Sequence, residues 1–303
     1  MVETSPPLTV RRLTAGEIHA QIARCPSIPS LGSVNKALQE LLGNDQRLTA
    51  QIAEIIRRDP SLTSRLLRLV NSVYFGLSAP INSIEEAVFY LGVRQIRQLA
   101  MVTPVIEDFQ RLTSQCNFPW REFWQHCIGT AILTREVTAH VPGPSEDAVY
   151  IAGLVHDIGK IVMAWSFPEH FAAIHSVALE TKRPLVEIEE EILGISHAEL
   201  GALYLERHRL PEIMVAAARF HHCPEAAPQF RHTLAAVRLA DLLLHSEGIG
   251  ISGDYVPVTR EECFAAPVWN QLLAKTPDAE QTIVKAALNR TLEQIPSMLA
   301  GMV

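Results

Sequence analysis

The sequence predicts an all-α protein in two parts, an N-terminal helical bundle packed on a second helical subdomain. Three observations lead there. Apolar residues recur at helical spacing through most of the 303 residues, and no stretch alternates apolar and polar residues as a half-buried strand would. Helix start and stop signals bracket those stretches repeatedly. Finally, "DFQRLTSQCNFPW" at residues 108–120 loses the apolar stripe, and the histidines divide there: only His19 precedes it and the other eleven follow.

Residues 1–19 read as an N-terminal extension and 20–115 as the bundle. Within the bundle, "SLGSVNKALQELLGNDQRLTAQIAEIIRRD" gives two helices broken at Gly43-Asn44-Asp45. "DPSLTSRLLRLVNS" follows, with Asp59 as N-cap, Pro60 at the first helical position and Leu62, Leu66, Leu67 and Val70 as its stripe. After the loop "NSVYFGLSAPIN", "SIEEAVFYLG" carries a capping box, Ser83 with Glu86, and stops at Gly92. The second subdomain, 116–246, is expected to hold helices over 121–139, 146–163, 168–182, 185–193, 197–207, 211–221 and 230–246. The remainder, 247–303, reads as a loop, "GISGDYVPVTREEC", and a last helix, "AEQTIVKAALNRTLEQIPSML".

Composition narrows the classes. At 48% hydrophobic and 19% charged, the chain can bury one large core or two moderate ones. No apolar run approaches the roughly 18 to 20 residues that span a bilayer, and the N-terminus lacks the apolar stretch of a signal peptide, so a cytoplasmic location is expected. A net charge of −7 disfavours wrapping of nucleic acid. Five cysteines without a C-x-x-C pair argue against both a disulfide framework and a zinc ribbon.

The chemistry lies in the second subdomain. Glu122 and His126 stand four apart, so both leave one helix face and suit a shared metal. In "GLVHDIGK", His156 and Asp157 are adjacent, about 100° apart around the helix, and Lys160 lies one turn beyond on the same side. Lys160 is left to meet an anionic substrate oxygen, to cover a helix end or to pair with a carboxylate. His197 opens a helix, His221 and His222 close or follow another, and Asp241 is an acid among leucines and alanines on an otherwise apolar helix, where a carboxylate wants a cation. Cys127 and Cys223 read as small packing residues. His19, His140, His170, His175, His208, His232 and His245 read as ordinary core or surface histidines.

The order of His126, the His156-Asp157 doublet and Asp241 resembles the H...HD...D signature of the HD superfamily of metal-dependent phosphohydrolases. The phrases "SIPSLGSVNKALQELL", "IIRRDPSLTSRLLRLVNSVYFG" and "INSIEEAVFYLGVRQIRQLAMV" resemble the HDOD family, the HD-related output domain of bacterial signalling. The resemblance covers roughly residues 20 to 246. HD-GYP phosphodiesterases, related proteins that hydrolyse cyclic di-GMP, have a metal-site pattern similar to Glu122, His126, His156, Asp157, Lys160, His197, His221, His222 and Asp241. This chain departs from them after the paired histidines: "HHCPEAAPQF" has Cys223 where they carry a glutamate, and no GYP follows.

The resemblance implies a signalling output module that acts on protein partners in trans and holds one or two divalent metal ions, iron or manganese being favoured by the histidine and carboxylate mix. The metal set would be Glu122, His126, His156, Asp157, His197, His221, His222 and Asp241. The alternative is a metal-dependent phosphohydrolase acting on a cyclic dinucleotide or nucleotide phosphate, with Asp157 and Lys160 as catalytic residues.

Overall fold

Trp120–Ala139 is the helix around which the others assemble. Its Phe123, Trp124, His126, Cys127, Ile128, Ala131, Leu133 and Val137 point in several directions and all are buried, so it needs neighbours on more than one side. In this computed structural model, residues 10–25, 81–83, 86–87, 118–141 and 146–299 are described. Numbered in chain order among those residues, the helices are α1 (Ala15–Ile22), α2 (Trp120–Ala139), α3 (Glu146–Val155), α4 (Ile158–Ser166), α5 (Pro168–Thr181) and α6 (Leu185–Ile192). They continue as α7 (His197–Arg207), α8 (Glu212–Phe220), α9 (Arg231–Ser246), α10 (Arg260–Ala265), α11 (Pro267–Leu273) and α12 (Asp278–Leu299). There is no strand among the described residues.

Helix α2 packs on α3, α9 and α12, while α7 packs on α4 and α8. Val284, Leu288, Leu292 and Ile295 of α12 share one core with Ile128 of α2 and Leu244 of α9. Helix α1 starts at a capping box, Thr14 with Glu17, and runs across the expected boundary at residue 20. Its Ile18 and Ile22 insert into a second core with Met163, Phe167, Phe171 and Ile188.

Two readings of the sequence change. The helix expected over 146–163 is two helices, α3 and α4, broken at His156-Asp157. The His156 Nδ1–H donates to the Gly153 carbonyl (2.7 Å), a helix-end acceptor that has outlived its backbone ladder. The loop expected over 250–263 gives way to α10, opened by a capping box of Thr259 and Glu262 that the loop reading passed over. At residue 83 the capping box is half formed: Glu86 N–H donates to Ser83 Oγ (3.1 Å), but the Glu86 carboxylate takes the N–H of Asn82. The bundle helices read around Gly43, Asp59 and Gly92, and most of the 108–120 boundary, lie outside the described residues.

One glycine sets the geometry of the site. A Cβ on Gly159 would sit 1.8 Å from the His197 carbonyl oxygen and 2.7 Å from Gly201 N, so only glycine lets the start of α4 lie against the start of α7. That contact brings His197 over Asp157. Gly159→Ala is therefore expected to lower stability by at least the upper part of the roughly 1 to 3 kcal/mol range for overpacking, since backbone rather than a side chain must move. Urea unfolding of the variant with an unchanged midpoint would refute this account of the crossing.

Candidate metal centre

Six pieces of chain deliver the polar groups. His126 comes from the middle of α2, His156 and Asp157 from the turn between α3 and α4, and Lys160 from the first turn of α4. His197 is the first residue of α7, His221 and His222 follow α8, and Asp241 is on α9. Apart from half-buried His222, all are buried, and Lys160 is only 2% exposed.

Asp157 is the hub. Its Oδ2 accepts a hydrogen bond from the Lys160 ammonium (2.6 Å) and lies 3.5 Å from His156 Nε2. Its Oδ1 lies 3.2 Å from His197 Nε2 and 3.5 Å from His221 Nε2. His126 Nε2 stands 3.1 Å from Asp241 Oδ1, at ion-pair distance but not aligned as a hydrogen bond. The candidate ligand atoms of His126, His156 and Asp157 lie within 4.8 Å of one another, and so do those of His197, His221 and His222.

The outward faces of the rings fix what the inward faces offer. His156 Nδ1 donates to the Gly153 carbonyl, His221 Nδ1 to the carbonyls of Ala217 and Ala218 (3.1 and 2.8 Å), and His197 Nδ1 to the Glu189 carboxylate (2.7 Å). Each Nε2 of these rings is therefore directed inward, and wherever the ring is neutral it offers a lone pair there. His222 is different. Its Nδ1 is 3.3 Å from Arg238 Nη1, which can only donate, so the ring proton belongs on Nε2, 3.0 Å from His197 Nε2.

Electrostatics agrees with this arrangement. Burial pushes the His156, His221 and His222 imidazoles below their ordinary value and keeps them neutral, as a ligand role requires of His156 and His221; His222, with its proton on Nε2, is held as a donor to His197 instead. Burial would lower His197 too, but the Glu189 carboxylate outweighs it and raises the ring's proton affinity. Burial would raise Asp157, yet the Lys160 charge and the facing histidines hold it well below the carboxylate range. Asp241 is held down in the same way, burial being overcome by His126 and Arg238.

A cation fits these residues. His126 Nε2, His156 Nε2 and Asp157 Oδ1 are buried without hydrogen-bond partners among the described residues, where an unpaired polar atom is costly. His197 and His221 also turn their Nε2 atoms toward each other, 3.3 Å apart, beside Asp157 Oδ1.

Of the residues singled out from the sequence, His126, His156, Asp157, Lys160, His197, His221, His222 and Asp241 are brought together. Glu122 is in neither group, and what α2 uses there is its carbonyl, which accepts from Ile251 N–H. Lys160 pairs with a carboxylate, one of the roles left open for it. Cys127 packs in the main core. Two residues went unnoticed. Glu189 holds both the Nδ1 and the backbone N–H of His197, and Arg238 bridges Asp241 (2.8 Å) and His222. Glu189 was findable: it shares a helical face with Leu185, Ile188 and Ile192, an acid among apolar residues just as Asp241 is.

A pocket of about 290 Å³ opens onto this group. It is lined by Asp157, Lys160, His222, Arg238 and Asp241, and by Ser252, Asp254, Val256 and Val258 of the 247–259 loop with Glu262 of α10. The loop is seated by Ile251 N–H on the Glu122 carbonyl and by Gly250, at φ +73, whose missing Cβ would lie 2.5 Å from His126 N.

The described residues thus form an all-helical fold around a histidine and aspartate cluster that a pocket reaches. The HDOD domain model matches residues 28–224, and the chain belongs to the HDOD domain family. An uncharacterized protein of Treponema pallidum (strain Nichols) is 27% identical over 233 residues, 75% of this chain; the chain spans less than half of that relative, 44% of its length. The structure of an HDOD domain protein of unknown function from Geobacter sulfurreducens superposes with a TM-score of 0.80 at 23% identity, covering 95% of this chain and 97% of that one. A protein from Shewanella amazonensis SB2B provisionally described as a phosphohydrolase superposes with a TM-score of 0.69 at 19% identity, covering 98% and 100%. At these identities the likeness is one of fold. Among the described residues no helix is long and apolar enough to cross a membrane.

Asp157→Ala in metal-free protein leaves the Lys160 ammonium buried and unpaired, so a loss of about 3 to 5 kcal/mol is expected in chemical unfolding. Adding Lys160→Met should recover part of it, and a double variant no more stable than the single one would contradict the pairing.

The same metal-free protein should lose stability as the pH falls from about 7 to 5. His156, His221 and His222 are lowered, and burial holds His175 down to about 3, so below the ordinary value of about 6.5 the unfolded chain takes up protons that the folded one refuses. His197, raised, contributes oppositely: its stabilisation is present below about 6.5 and fades as the pH rises through its folded value. A melting temperature in chelator that stays flat or rises over that range would count against the neutral imidazoles.

Proposed function

We propose that this chain is a signal-transduction output protein whose second subdomain holds one or two divalent cations in an HD-like centre. The observation that carries the metal is the convergence of His156, His197 and His221 Nε2 on Asp157, with every Nδ1–H already committed to an outward acceptor. Rings so held are locked in the tautomer and direction that a cation requires. The two Asp157 oxygens face different imidazoles, and with His126 and Asp241 nearby these side chains would hold one or two cations. An imidazole and carboxylate set without thiolate suits iron or manganese. Family membership supports the output role, in which a change of state at this centre is passed to signalling proteins in trans.

A second reading, hydrolysis of a nucleotide phosphate or cyclic dinucleotide, is favoured by the pocket that opens onto the cluster. The bound cations would supply Lewis acidity to the phosphoryl oxygens. The chain's own share is positional: Asp157 stays ionised against Lys160, while Lys160 and Arg238 present positive charge to an incoming anion. In such a reaction the oxygen of water bonds to phosphorus, the ester P–O bond breaks, and the alcohol departs with a proton.

Elemental analysis of protein purified without added metal and without oxygen tests the proposal. One to two equivalents of a transition metal are expected, absent from Asp157→Ala and bound about 10- to 100-fold more weakly by Glu189→Gln, which loses the charge behind His197. No metal in the wild type, and none taken up from iron or manganese, would end the metal-centre reading.

A further inference from the structure

The pocket has a direction. Arg238 and His245 are seven residues apart on α9, about 10 Å by helical rise, and both line it. At the Arg238 end the guanidinium uses one nitrogen, Nη1, on Asp241 and His222, while its Nε and Nη2 groups have no partner among the described residues. At the His245 end the ring donates to the Val256 carbonyl (2.6 Å), and Asp254, whose Oδ1 accepts from Val256 N–H, turns the wall acidic together with Glu262.

Charge and size then choose a ligand class. A phosphate suits the Arg238 end, where a fork of free N–H donors stands beside Lys160. A second phosphate further along would face Asp254 and Glu262 and be repelled, whereas hydroxyl groups would find carboxylate acceptors there. A volume of about 290 Å³ falls at the small end of ligand pockets, roughly 300 to 1,000 Å³. That is room for one nucleotide, and a cyclic dinucleotide is two joined together. We propose that this pocket binds a phosphomonoester no larger than one nucleotide, its phosphate beside Arg238 and its hydroxyl-bearing remainder beside Asp254. The inference rests on the metal-centre reading above and narrows the ligand of that same site.

The full chain, loaded with manganese and analysed for metal, is titrated calorimetrically with adenosine 5′-monophosphate, glucose 6-phosphate, adenosine 5′-diphosphate and cyclic di-GMP. At least one monoester should bind saturably or be turned over, the two arms telling a nucleotide from a sugar phosphate. The diphosphate and the cyclic dinucleotide should bind at least ~10-fold more weakly. Arg238→Gln, at equal metal content, should weaken the monoester ~10-fold or more. Asp254→Asn keeps the Val256 contact and touches no member of the histidine cluster, so it serves if Arg238→Gln loses metal. It should narrow the monophosphate over diphosphate preference by about threefold or more. Metal-loaded protein that binds neither monoester, or binds cyclic di-GMP as tightly, overturns this inference and leaves the metal centre standing. Wild-type protein that takes up no metal overturns the centre itself, and the inference with it.

Discussion

Everything around this site answers to one buried carboxylate. An ionised Asp157 inside a helical core is unfavourable unless charge and hydrogen bonds surround it. Lys160 satisfies only one of its oxygens. The other oxygen faces His197 and His221 without an aligned donor, so the chain leaves half of its central charge for something positive. The close crossing of α4 and α7 at Gly159 exists to bring these groups within reach, and it leaves no room for a side chain.

The rings are oriented by helix ends as well as by side chains. Gly153 lies in the last turn of α3, and Ala217 and Ala218 lie in the last turn of α8, where backbone carbonyls have lost their own partners. His156 and His221, placed just after those turns, donate their Nδ1–H to these carbonyls and thereby point Nε2 inward. His197 opens α7 instead of closing a helix, so no such carbonyl is at hand, and Glu189 from α6 takes that part. One electrostatic requirement is met in two ways, according to which end of a helix the histidine occupies.

The 247–259 loop turns a buried cluster into an addressable one. It is held to the start of α2 and contributes lining, acidic Asp254 included, to the pocket that Lys160 and Arg238 also line. Gly250 permits the approach, because a side chain there would strike the backbone of His126. Glu122, grouped with His126 by spacing, serves this seating through its carbonyl.

The sequence by itself determined most helices of the second half and most of the residues that carry its chemistry, because helical periodicity, caps and an acid on an apolar face are local signals. It could find Asp241 by that last signal, and the same signal was available for Glu189 in "LVEIEEEI". Tertiary structure alone decided three things. It broke the helix at His156-Asp157, because a side chain there takes a carbonyl at the end of α3. It brought His197 and His221 onto Asp157 from 40 and 64 residues away, through a crossing that depends on one absent Cβ. It made Arg238 a partner of both Asp241 and His222, the first one turn away on its own helix and the second beyond it. Distances between segments far apart in the chain follow from how helices pack, and packing is a property of all the faces at once, which no local pattern records.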